Sequence, residues 1–76
     1  MKEMIELIAQ ALVDEPENVS VKEIEGPHTA IMALKVAKAD IGKVIGKQGR
    51  TVGALRVLLS AVSAKSKKRA VLEVVE

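Results

Sequence analysis

The chain has no cysteine, no phenylalanine, tyrosine or tryptophan, and no acidic residue between Ile41 and Leu72. Without cysteine there is neither a disulfide framework nor a thiolate zinc site, so nothing points to an oxidising secretory compartment. Without aromatic rings, the core of this 76-residue chain must be packed from Ile, Leu, Val, Ala and Met, side chains that carry no buried polar atom with them. A chain of this length buries only about 60% of the surface its unfolded form exposes, so its stability margin is thin. Long apolar runs are missing too. Charge-free stretches such as residues 57–64 fall far short of the roughly 20 residues that cross a bilayer. The opening Met1-Lys2-Glu3, followed by Glu6, is unlike the basic, uninterrupted apolar start of a signal peptide. The expectation is a soluble cytoplasmic protein with no membrane partner.

Net charge is only +2, but it is unevenly spread: residues 1–40 hold four Lys against eight acids, and residues 41–76 hold eight Lys or Arg against two Glu. A field of one sign gathered in half of a small domain suits a polyanionic partner. A solvated basic face without a ligand would produce the same run.

There are no internal repeats, low-complexity tracts or linkers, so residues 1–76 read as one packed unit. Met4, Ile5, Ile8, Ala11 and Leu12 recur at helical spacing over residues 2–13, which predicts an amphipathic helix with Glu3, Glu6 and Gln10 toward water. Pro16 ends it, because a proline disfavours helix at the residue before. Residues 19–25 start in alternation at Val19 and Val21 and run into Gly26-Pro27-His28, which reads as a strand and a turn. Residues 30–36 alternate, with Met32, Leu34 and Val36 on one side, so the two strands should pair as a hairpin. Asp40 is placed to cap a short helical turn through Ile41, Val44 and Ile45 by accepting from its first free amides. A longer helix should start near Arg50 and run to about Ala64, with Val52, Leu55, Leu59 and Val62 on its core stripe. The basic loop Lys65-Ser66-Lys67-Lys68-Arg69 then leads to a closing strand over residues 70–75.

The expected fold is α+β, a three-stranded sheet with helices packed on one face, in the order α-β-β-α-α-β. The long helix carries a second apolar face, Ala54, Val57, Leu58 and Ala61. A small domain cannot cover a helix all round, so this face is expected to be a dimer interface, against the plainer view that Ala and Val merely supply helix surface.

The motif of most interest is Val44-Ile45-Gly46-Lys47-Gln48-Gly49-Arg50-Thr51-Val52. A bare G-x-x-G arises by chance in roughly a third of chains this long, at average glycine usage. Here it lies between two helical segments with apolar residues just before it and three places after it, which is far more specific. Gly46 and Gly49, lacking a Cβ, let the chain reverse sharply and bring its amides close to a phosphate backbone. Gly49 opens the long helix, whose first amides have no internal partner and whose dipole favours an anion. Lys47 and Arg50 add mobile positive charge, and Gln48 can hydrogen-bond a phosphate or sugar oxygen.

The pattern and the element order together resemble the type II KH domain found mainly in bacterial proteins, and the resemblance covers essentially all 76 residues. Val52 stands where that family usually has Ile, a minor change of volume. In length and in standing alone the chain is similar to small bacterial single-KH proteins of the KhpA type. The resemblance implies binding of short single-stranded RNA by a loop that clamps roughly four nucleotides, in a chaperone-like or post-transcriptional regulatory role. It also implies a homodimer, or a heterodimer with a second KH protein of the KhpB (Jag) type. The implied RNA-binding residues are Ile41, Gly42, Lys43, Val44, Ile45, Gly46, Lys47, Gln48, Gly49, Arg50 and Val52. Bases would lie over an aliphatic groove floored by Ile41, Val44, Ile45 and Val52 and walled by the strand holding Met32 and Val36. Gly42 and Gly53 flank this groove, where they would serve either close ligand approach or tight helix packing, the latter being the expectation for Gly53.

The missing aromatics disfavour RNA modules that stack bases on Phe, Tyr or Trp. One backbone clamp should bind weakly, and two in a dimer recover affinity through effective concentration. Nucleotide hydrolysis is disfavoured, since Gly42 to Lys47 leaves three residues between glycines, rather than four, and supplies no Ser or Thr for magnesium. His28 is the only histidine and has no cysteine beside it, so no metal site, cofactor or small-molecule substrate is expected, and acid–base catalysis lacks a base. Ser60 and Ser63 read as surface of the long helix. Two alternatives stay open. One is a helix-turn-helix that places residues 50–64 in a DNA major groove, weakened by the shortage of polar side chains to read base edges. The other is an assembly module whose basic half docks an acidic protein. Comparing single-stranded RNA with duplex DNA, and looking for co-purifying RNA, separates the three.

Overall fold

The computed structural model describes residues 1–75. Its elements are α1 (Lys2–Leu12), β1 (Ser20–Glu25), β2 (Thr29–Lys35), α2 (Ile41–Ile45), α3 (Arg50–Ala64) and β3 (Arg69–Val75), the α-β-β-α-α-β order of a type II KH fold. β1 and β2 form the hairpin, with Val21 opposite Leu34 and Ile24 opposite Ile31. β2 and β3 run parallel, with Met32 opposite Leu72. The strand order β1-β2-β3 therefore puts β2 in the middle of the sheet.

Parallel pairing needs a crossover, and the α2–α3 pair supplies it. The core lies between this sheet and the helices. Ala30, Met32 and Leu34 point inward from β2, against Ile5 and Ala9 of α1, Val44 of α2, and Val52, Leu55 and Leu59 of α3. Every one of these is aliphatic or Met, so this cluster brings no polar side-chain atom into the interior with it.

Two helix faces differ from their expected stripes. On α1 the inward residues are Ile5 and Ala9, continued at Val13, while Ala11 and Leu12 turn outward. On α3 the stripe runs Val52, Leu55, Leu59, Ser63, and Val62 is 41% exposed. Ser63 is four residues beyond Leu59 and stays over the sheet, whereas three residues rotate Val62 toward solvent. The buried Ser63 hydroxyl is satisfied, donating to the Ser60 carbonyl at 3.1 Å, so it sits inside without an unpaired polar atom.

Asp40 also departs from expectation. It precedes α2 but makes no side-chain cap there. Its carboxylate is 1% exposed and accepts instead from the amides of Asp14 and Glu15, at 3.3 and 3.1 Å, tying the segment after α1 to the start of α2. Burial works to raise the Asp40 pKa, but the Asp14 and Glu15 amides and the Lys43 ammonium outweigh it, holding the group below its ordinary value.

Candidate nucleic-acid interface

α2 ends because Gly46 takes φ 78, ψ 166, a conformation that only glycine adopts freely. Its amide still bonds to the Gly42 carbonyl at 2.9 Å, closing the last turn of α2. The chain then makes one tight turn over Lys47–Gly49, with Gln48 at φ 58 and Gly49 at φ 74. Three departures from right-handed helix within four residues, at 46, 48 and 49, keep α2 and α3 from merging into one rod. Gly49 donates to the Gly46 carbonyl at 3.0 Å, and the Arg50 amide donates to the Lys47 carbonyl. Lys47 and Gln48 are exposed. The Arg50 guanidinium donates to Gln48 Oε1 at 3.1 Å, which leaves the Gln48 side-chain NH2 to act as a donor. One side-chain amide and two cations, Lys47 and Arg50, thus stand on one solvent-facing bend, an arrangement suited to an anionic strand.

The glycines differ in what they require. A Cβ on Gly46 would overlap the Thr51 hydroxyl and come within 2.7 Å of Thr51 Cβ, so this position is closed by packing as well as by conformation. A Cβ on Gly42, Gly49 or Gly53 would meet nothing within 4 Å. Tight helix packing is therefore not the reason for Gly53, which faces open space beside the turn.

Among the remaining expected residues, Ile45 is 37% exposed and Ile41 partly buried, while Val44 is at 0% and Val52 at 7%. Val44 and Val52 thus support the turn from beneath and present almost no surface. The expected groove wall is corrected at two side chains: Met32 and Leu34 of the central strand are fully buried and present no surface to a ligand. The free sheet edge on the α3 side belongs to β3, where Arg56 donates to the Leu72 carbonyl at 3.3 Å. Lys43 is held by carboxylates, with Nζ 3.0 Å from Asp14 and 3.5 Å from Asp40. Its hydrogen bond and attraction to Asp14, reinforced by Asp40, raise its pKa against the opposing effect of desolvation. Sequence patterning did not flag this cluster, because Asp14 and Lys43 meet only through the packing of α1 on α2.

A family model described as KhpA/KhpB, KH domain, matches residues 2–74. The chain belongs to the KhpA/KhpB family of KH domains. Relatives named RNA-binding protein KhpA include one from Chlamydia pneumoniae, 51% identical over 100% of this chain and 97% of that protein. Another, from Caldanaerobacter subterraneus subsp. tengcongensis, is 51% identical over 99% of this chain and 100% of its own length. A third, from Aquifex aeolicus, is 50% identical over 100% of this chain and 96% of that protein. No solved structure matches the chain. The KhpA/KhpB family is non-enzymatic, and among the described residues no helix is long and apolar enough to cross a membrane.

Proposed function

We propose that this chain is one KH domain that binds short single-stranded RNA through the Gly46–Gly49 turn and serves as a cytoplasmic RNA chaperone or post-transcriptional regulator in bacteria. The observation that carries this reading is the exposed bend itself, which breaks away from right-handed helix at Gly46, Gln48 and Gly49 and presents Lys47, Gln48 and Arg50 to solvent, in a family whose relatives are named for RNA binding. Phosphates rest on Lys47, Arg50 and the Gln48 side-chain amide. Gly42 and the exposed parts of Ile45 and Ile41 leave room for bases, with Val44 and Val52 buried beneath them as support. Lys43, engaged with Asp14 and Asp40, steadies the start of α2 at the groove's edge.

The functional form is a homodimer, or a heterodimer with a second KH protein of the KhpB (Jag) type, joined through Ala54, Val57, Leu58 and Ala61. In support, all four are exposed, with Val57 at 69% and Leu58 at 47%, more apolar surface than an unpartnered helix usually shows water. Pairing doubles the clamps and raises affinity by effective concentration.

The test is the variant Lys47→Asp with Gln48→Asp, which sets two negative charges against phosphate. RNA binding by fluorescence anisotropy should vanish while circular dichroism stays native. Affinity equal to that of the unmodified chain would refute the assignment. Binding should also weaken with salt, with a log–log slope of about −0.7 per phosphate neutralised on a single strand.

A further inference from the structure

We infer that the loop between α3 and β3 is a second phosphate-binding site, which anchors the part of an RNA strand that extends beyond the Gly46–Gly49 clamp; this rests on the RNA-binding reading above. The loop holds Lys65, Lys67, Lys68 and Arg69 in five consecutive residues. Lys68 is committed to Glu25 at 3.4 Å, while Lys65, Lys67 and Arg69 are exposed and pair with no carboxylate among the described residues.

The loop is shaped, not slack. The Ser66 amide and hydroxyl both donate to the Ser63 carbonyl, at 3.0 and 2.9 Å. Lys67 adopts φ 60, and the Arg69 amide donates to the His28 carbonyl at 2.9 Å. Three unpaired cations are therefore held on a fixed backbone, which lowers the ordering cost of meeting a ligand.

The plainer role for such residues is to offset the negative end of the α3 dipole, but that effect fades within the last turn. Lys67 and Arg69 lie beyond the last helical residue, Ala64, and Arg69 is already in β3. Their charge is left for something outside the helix. Position identifies what. α3 is 15 residues long, so the two loops stand about 22 Å apart at about 1.5 Å per residue. Between them there is no acid anywhere from Ile41 to Leu72, and Arg56 lies midway. The helix that joins the two loops therefore carries no carboxylate to repel a polyanion that spans them.

The experiment compares two fluorescent oligouridines, one of about four nucleotides, the length one clamp holds, and one about three times longer. The full chain is tested beside the variant Lys65→Gln, Lys67→Gln, Arg69→Gln. The expected result is unchanged binding of the short strand and a loss of roughly tenfold for the long one, as three exposed charge contacts disappear. The salt slope for the long strand should fall by about 2, three times 0.7, and lysine or arginine at all three positions should restore it. Long-strand affinity and slope equal to those of the unmodified chain would overturn the inference and leave these cations as surface charge. Failure of the unmodified chain to bind either strand would overturn both readings. Long-strand binding that survives Lys47→Asp with Gln48→Asp but not the loop variant would uphold this site and remove the clamp.

Discussion

Replacing Gly46 by alanine tests the geometry of the turn where it is least forgiving. At φ 78, ψ 166 the backbone lies in a region nearly exclusive to glycine, and a residue with a Cβ held there costs about 1–3 kcal/mol. Packing adds to this. The new Cβ would overlap the Thr51 hydroxyl and stand 2.7 Å from Thr51 Cβ and 2.8 Å from its amide nitrogen, and the last is helix backbone that cannot swing aside. Gly49 is the internal control. At φ 74, ψ 13 it is ordinary left-handed backbone, with nothing within 4 Å of an added Cβ. Alanine there costs about 1 kcal/mol, partly offset by about 0.5 kcal/mol from a stiffer unfolded chain. The expected losses are about 3 kcal/mol or more at Gly46 and about 0.5–1 kcal/mol at Gly49. In a domain of this size each kcal/mol moves Tm by roughly 4–8 °C. Thermal unfolding by circular dichroism should therefore fall by at least about 12 °C for Gly46→Ala and by less than about 8 °C for Gly49→Ala. Urea melts should give the same ranking with an unchanged m-value. Adding Thr51→Gly removes two of the three obstructing atoms, so the double-mutant cycle should show a favourable coupling. Equal losses at the two glycines, or no coupling to Thr51, would refute the reasoning.

Gly53→Ala should stabilise the chain by about 1 kcal/mol, the usual gain of alanine over glycine inside a helix, because its Cβ meets open space; RNA affinity that drops while Tm rises would place the strand against this position. Leu59→Ala, at 1% exposure, should cost about 2–5 kcal/mol, and Val62→Ala well under 1 kcal/mol; chemical denaturation giving the reverse order would contradict the observed α3 stripe. The Asp40 carboxylate, with its pKa lowered in the fold, contributes stability that is complete above its unfolded value of about 3.9 and lost as pH falls through the lower folded value. Asp40→Asn should accordingly be less stable at neutral pH and flatten the acid limb of a stability profile, and an identical acid limb would show that Asp40 does not control it. Leu58→Asp should give a monomer by sedimentation, and an unaltered mass would remove α3 as the interface.

Local physics made much of this molecule legible in advance. The long helix follows from apolar residues at three- and four-residue spacing, and its expected extent, from near Arg50 to about Ala64, agrees with the structure. The hairpin follows from alternation on either side of Gly26-Pro27. The turn follows from two glycines set between helical segments, because a backbone that must leave right-handed space needs residues without a Cβ. These are properties of neighbouring residues, and sequence records neighbours directly.

What the sequence did not carry depends on contacts between distant residues. Nothing near Asp40 announces that its carboxylate reaches the amides of Asp14 and Glu15 across 25 or more positions. The choice between Val62 and Ser63 as the fourth core position of α3 turns on where the sheet lies beneath the helix. Parallel pairing of β2 with β3 makes β2 the central strand, and packing of the helices against it buries Met32 and Leu34. Composition and spacing alone determined the elements, the turn and the lopsided charge; only the tertiary structure decided which strand is left with a free edge, which glycines face open space and which lysines are already paired, since each of these depends on atoms brought together by packing rather than by the chain.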